Sequence, residues 1–208
     1  MKSIIKNIIL YLIIINIVFL NTGLEVIDAS ADYEYKISQQ SLDEFKNKML
    51  NMPMIGDVTI DFLQESIFYS ETIKNVSNEF IKVTNNEDIK SLAEEIIREQ
   101  DDDVRSMKSI LDECKNNIIE NKDKEISYVE IYERILNDAF QKISETYNKD
   151  LTIEEIYLNT MLVCYEGDLK METTVLRYIN NEKLKEETKN EIEKENKQVM
   201  RIKKKLKK

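Results

Sequence analysis

Sulfur side chains on one helical side give this chain a soft-ligand metal chemistry to consider. Met161, Cys164 and Met171 stand at offsets of 3 and 7, on one side of a helix, and Met107 is placed to approach from another helix. A thiolate with thioethers suits Cu(I). The plainer reading of the same four residues is a set of adaptable core side chains. The chain contains no histidine, which removes several other chemistries. Di-iron bundle sites draw on Glu-x-x-His, zinc and Cu(II) sites of the usual kind need imidazole, and Ser-His-Asp or Cys-His nucleophiles lack their base. There is no Gly-rich phosphate loop. A glycosidase-like carboxylate pair needs a cleft, which a narrow bundle does not offer. No catalytic residues and no enzymatic activity are expected.

Two further constellations carry chemistry. Gln100 falls on the apolar seam of one helix, and Glu195, 95 residues later, falls on the seam of another. The helices opposite supply Tyr69, Ser70 and Glu71 to the first and Tyr165 and Glu166 to the second. Buried polar groups need partners, so these seven residues read as an interior polar cluster. It is either a structural hydrogen-bond network or a ligand site. The second constellation is the tail, with cations at Arg201, Lys203, Lys204, Lys205, Lys207 and Lys208. These cations complement a helix C-terminus, or they attract an anionic envelope polymer or membrane surface. The net charge of −10 argues against nucleic acid as a partner.

The elements that position these residues follow from a repeat. Phe62 to Leu111 and Tyr157 to Leu206 match at ten of fifty positions at a lag of 95, and turns align with turns. Two copies of one helical hairpin predict a four-helix bundle. Ile89, Leu92, Ala93, Ile96, Ile97, Gln100, Val104, Met107 and Leu111 trace one face of a helix. Asp101-Asp102-Asp103 lies mostly off it and reads as a solvated surface. Asn85-Asn86 and Asn180-Asn181 mark the hairpin turns. Thr152 with Glu155, and Ser127 with Glu130, have the spacing of capping boxes. Two shorter helices complete the count: one runs from Ser41 to a stop at Pro53, and one spans about 127–147. Only 3 Gly and 1 Pro agree with a mostly helical chain.

The N-terminus has the order of a secretory signal peptide: Lys2 and Lys6, an apolar run from Ile8 to Leu20, then Ala29-Ser30-Ala31. An uncleaved anchor is the alternative. The domain reading is therefore a signal peptide at 1–31, a disordered leader at 32–40 and a single helical domain at 41–208. Repeat one spans about 41–118 and repeat two about 127–208. Localisation is expected to be extracytoplasmic, secreted or associated with the cell envelope. A disulfide between Cys114 and Cys164 is left open, because sequence does not fix their separation.

The motifs also resemble a known family. MLVCYEGDLKM, Met161 to Met171, is similar to the MIPHHEGAIKM helix motif of domain-of-unknown-function family 305, and LAEEIIREQDDDVRSMKSIL, Leu92 to Leu111, resembles its second signature. The resemblance covers about residues 40–208 and implies a bacterial, secreted or periplasmic, ferritin-like bundle built from two tandem hairpins. Members of that family are linked with metal handling, copper especially, through His and Met. Here its paired histidines would fall on Cys164 and Tyr165, and in the first copy on Tyr69 and Ser70. The resemblance therefore implies a degenerate metal site with a structural or partner-binding role.

Overall fold

The computed structural model describes residues 43, 45–116, 118–147 and 151–207. The expected signal peptide, the leader and Lys208 lie outside them. Among the described residues the chain is helical throughout, with no strand. α1 covers residue 43 and residues 45–50. It is followed by α2 (Val58–Ile81), α3 (Glu87–Cys114), α4 (Lys122–Tyr147), α5 (Ile153–Val175) and α6 (Glu182–Leu206). No described helix is long and apolar enough to cross a membrane.

Each long helix starts where a short polar side chain supplies an acceptor to orphan backbone N–H groups. Asp57 caps α2 through Thr59 N, Asn86 caps α3, and Asn181 caps α6 through Leu184 N. Thr152 and Glu155 form the reciprocal capping box expected at α5. Ser127 does not cap α4. That helix begins five residues earlier, where Asn121 Oδ1 accepts from Lys124 N at 3.1 Å, and Ser127 lies inside it, donating to Asp123 O at 3.0 Å. The polar run 121–124 thus supplies the cap and the start of a helix of 26 residues. α4 is as long as its neighbours, and repeat two as drawn from 127 starts inside it. A run of polar residues is compatible with a helix N-terminus, where carboxylates such as Asp123 and Glu125 are favoured.

α2 packs on α3, α4 on α5, and α5 on α6. One ion pair recurs in both hairpins. Lys108 on α3 reaches Glu71 on α2 at 2.7 Å, and 95 residues later Lys203 on α6 reaches Glu166 on α5 at 2.7 Å. The hairpins meet along two unlike seams. Between α2 and α5 the seam is aromatic: Phe80 and Tyr157 stack with centroids 3.9 Å apart, and the Tyr157 hydroxyl bonds Ser77 at 2.9 Å. Between α3 and α6 it is polar: Gln198 donates to Glu99 at 2.6 Å, and Arg201 forks onto Glu95.

The link before α2 is fixed by two buried carboxylates. Asp61 accepts from Ile55 N and Gly56 N at 2.8 and 3.2 Å, while Asp57 accepts from Ile119 N, across the fold, at 2.7 Å. Gly56 has φ 88°, a left-handed conformation that costs other residues energy. Asp57→Ala removes a helix cap and a tie between two loops, so it is expected to lower stability by about 1–3 kcal/mol. Thr152→Ala, which removes a cap alone, should cost about 1 kcal/mol. Urea unfolding of both variants at one pH checks the order.

Candidate functional site

The interior of the bundle is unusually acidic. α3 contributes Asp103, α5 contributes Asp168 and Glu172, and α6 contributes Glu191 and Glu195. Helix periodicity accounts for this. On α6 the buried positions between Leu184 and Val199 are Thr188, Glu191, Glu195 and Gln198, at steps of 3, 4 and 3, so they form one stripe facing inward. Across from it lie Gln100 and Asp103, also three apart, whose side chains meet at 3.5 Å.

These carboxyls are held chiefly by one another. Asp168 and Glu195 are hydrogen-bonded between α5 and α6, and Asp103 and Glu191 are hydrogen-bonded between α3 and α6. The adjacent cation is Lys194, whose ammonium reaches Glu191 at 2.7 Å and Asp103 at 3.3 Å from the solvent side. Burial raises the pKa of every member. Asp168 is pushed up to about 6, Glu191 to about 7 and Glu172 to about 10. Glu195 is raised well above the usual carboxylate range and Asp103 is raised as well, in each case first by desolvation.

A second buried acid lies beside α4. Tyr128 donates a short hydrogen bond to Glu65 Oε2, and burial pushes the Glu65 carboxyl up to about 8. The same desolvation raises the pKa of both tyrosines of this group, Tyr128 and Tyr132. Glu65 lines a cavity of about 50 Å³ whose walls include Phe45, Phe140, Cys164 and Met171. A larger recess of about 420 Å³ lies at one end of the bundle, among Asp57, Cys114, Lys124, Tyr178 and Asn181. Its polar groups are engaged in the local fold: Asn181 Nδ2 donates to Cys114 Sγ at 3.3 Å, and Lys124 Nζ to Tyr178 O at 3.3 Å.

The seven residues of the expected polar cluster separate into two groups. Ser70, Gln100, Tyr165 and Glu195 are buried. Tyr69 is half-buried, and its hydroxyl donates to Cys164. Glu71 and Glu166 belong to the surface, as partners of Lys108 and Lys203. They sit one helical position off the inward stripe, so an ion pair in water is their lower-energy arrangement. Asp103 is the converse correction: the acidic run 101–103 was read as surface, but Asp103 is buried, while Asp101 pairs with Lys74 and Asp102 with Arg105.

The sulfur set is not gathered at one place. Met107, Met161, Cys164 and Met171 are all buried. Cys164 and Met171 share the wall of the small cavity with Met49 of α1, whereas Met107 and Met161 are not among its lining residues. Burial pushes the Cys164 thiol up to about 11, which keeps it protonated. Cys114 and Cys164 are both free thiols. Among the described residues, no three His, Cys, Asp or Glu side chains converge as a metal cage. In the tail, Arg201, Lys203 and Lys205 are drawn back onto the bundle by Glu95, Glu166 and Asp88, while Lys204 and Lys207 face solvent.

The sequence reading missed Glu65, Asp168, Glu172, Glu191 and Gln198. A signal for three of them existed in the repeat. At the lag of 95, Glu65 matches Thr160, Ser77 matches Glu172, and Asp103 matches Gln198, and all six are buried polar residues.

Comparison with protein-family models, curated proteins and solved structures finds no match to this chain. The family resemblance rests on its two motifs. Tyr128→Phe removes the donor to a buried carboxyl, so at pH 6 it is expected to destabilise the protein by about 1–3 kcal/mol. Urea unfolding of the variant beside the parent measures this.

Proposed function

We propose that this chain is a non-catalytic helical-bundle protein of the secreted fraction or cell envelope, with a structural or partner-binding role. In this reading it is a divergent relative of domain-of-unknown-function family 305, with a ferritin-like four-helix core of two tandem hairpins, α2–α3 and α5–α6. The recurring pairs Glu71–Lys108 and Glu166–Lys203 support the duplication.

The observation that carries the role is Tyr165. It stands where the family motif has a histidine, and its ring is almost wholly buried, 1 % exposed. An aromatic ring there fills the interior as a core residue does, and burial keeps its hydroxyl protonated, which makes it a poor metal ligand. The neighbouring Asp168–Glu195 hydrogen bond supports the same reading, because it directs carboxyl groups at each other. The tail supports a bundle-stabilising role better than an adhesive one, since three of its cations are engaged within the fold.

Tyr165→Ala is expected to cost roughly 3–5 kcal/mol, as for a buried aromatic, and thermal unfolding of the parent should not shift on addition of Cu(I) under reducing conditions. A neutral Tyr165→Ala, or a copper-dependent rise in Tm that Cys164→Ser abolishes, would replace this reading with soft-metal binding. Expression of the full chain in a bacterium tests the compartment. Recovery from the medium or envelope as a species beginning at Asp32 is expected, and recovery from the cytoplasm with Met1 in place would overturn it.

A further inference from the structure

The middle of α6 poses a physical problem. Between Leu184 and Val199 every buried residue is polar, and Ile192 is only half-buried. Apolar burial therefore does not hold these turns against the bundle. What crosses from them to the neighbouring helices is polar: Lys194 bridges Glu191 to Asp103 on α3, Gln198 donates to Glu99 on α3, and Glu195, whose Oε2 has no hydrogen-bond partner, meets Asp168 of α5. An ionised carboxylate only accepts, so the Glu195–Asp168 contact needs a proton, whereas Glu191 and Asp103 share the Lys194 ammonium.

The surrounding groups do not supply the missing positive charge. Unpaired oxygens remain at Glu195 Oε2, Gln100 Oε1 and Gln198 Oε1, on residues 5, 4 and 2 % exposed. Glu172 of α5 adds a further carboxyl. α3 adds Glu99, itself raised by burial and held by Gln198. The Tyr69 hydroxyl of α2 and the Tyr132 hydroxyl of α4 lie in the field of these acids and stay protonated. Tyr165 on α5 does the same. Lys194 is the cation that touches the set, and it serves the Asp103–Glu191 pair.

We propose that a proton held between Glu195 and Asp168 fastens the middle of α6 to α5, so that these turns are held most firmly in mild acid and loosen as the pH rises. The sign follows from burial. The folded carboxyls hold protons more tightly than the unfolded chain does: Asp168 is pushed up to about 6 against an unfolded value near 4, and burial raises Glu195 well above the usual carboxylate range. Stability is complete below the unfolded value and falls as pH rises through the folded values. Release begins at α6 because the α2–α5 seam rests on the Phe80–Tyr157 stack and the Ser77–Tyr157 hydrogen bond, which do not titrate in this range. This proposal is independent of the role assigned above.

Hydrogen exchange of the full chain at pH 5.5, 7.0 and 8.5, corrected for intrinsic rates, tests it. Peptides from 186–200 are expected to lose protection by up to about tenfold per pH unit as the pH rises from 5.5, the dependence of one proton. Peptides from 70–81 and 156–163 should lose markedly less. Glu195→Gln keeps a hydrogen-bonding group facing Asp168 but cannot ionise. It should fold and flatten the pH dependence of 186–200 by about tenfold per pH unit. Protection in 186–200 that is independent of pH, or that falls in step with the other helices, would overturn the proposal. So would a folded Glu195→Gln chain with the parent's slope.

Discussion

A carboxyl placed inside a helical bundle must find a cation, a donor or a proton, and this constraint organises the centre of the molecule. Lys194 is the cation within reach, and it engages two carboxylates at the edge. Donors are scarce, because the neighbouring amides Gln100 and Gln198 already give hydrogens to Asp103 and Glu99. Protons remain. Each carboxyl that keeps one avoids the several kcal/mol that an unpaired buried charge costs, and it gains a donor with which to bind its neighbour across a helix boundary. The raised pKa of Glu65, which lines one small cavity with Asp168, has the same cause, with Tyr128 as its donor.

This arrangement gives the two seams between the hairpins different physics. The α2–α5 seam is a stacked aromatic pair with one neutral hydrogen bond, so it depends on shape and apolar burial. The α3–α6 seam depends on charge state and on geometry between carboxyl, amide and guanidinium groups. α4 packs chiefly on α5, and its tyrosines close the other buried acid.

The surface follows simpler rules. Glu71–Lys108 and Glu166–Lys203 tie the helices of each hairpin at the same place. As exposed pairs they contribute about 0–1 kcal/mol each. Their value to the argument lies in their recurrence. The tail behaves likewise, with Lys203 and Lys205 directed at α5 and α3. Its charge reads from the structure mostly as local pairing.

The sequence by itself determined the helical class, the hairpin turns at Asn85-Asn86 and Asn180-Asn181, the Thr152–Glu155 box and the apolar face of α3. All of these depend on neighbours within a few residues, and helix periodicity or side-chain capping encodes them directly. It also placed Gln100 and Glu195 inside, because both interrupt an apolar stripe. Only the tertiary structure decided that Asp103 turns inward while Glu71 and Glu166 turn out. A position at the edge of a stripe is buried or exposed by a few tens of degrees of helix rotation, and the partner helix sets that rotation. Nor could spacing reveal that Asp168 meets Glu195 or that Glu191 meets Asp103. A hydrogen bond between two acids is invisible to any local pattern: it exists only where separate helices bring both carboxyls to one dry place and a proton becomes cheaper to keep than to lose.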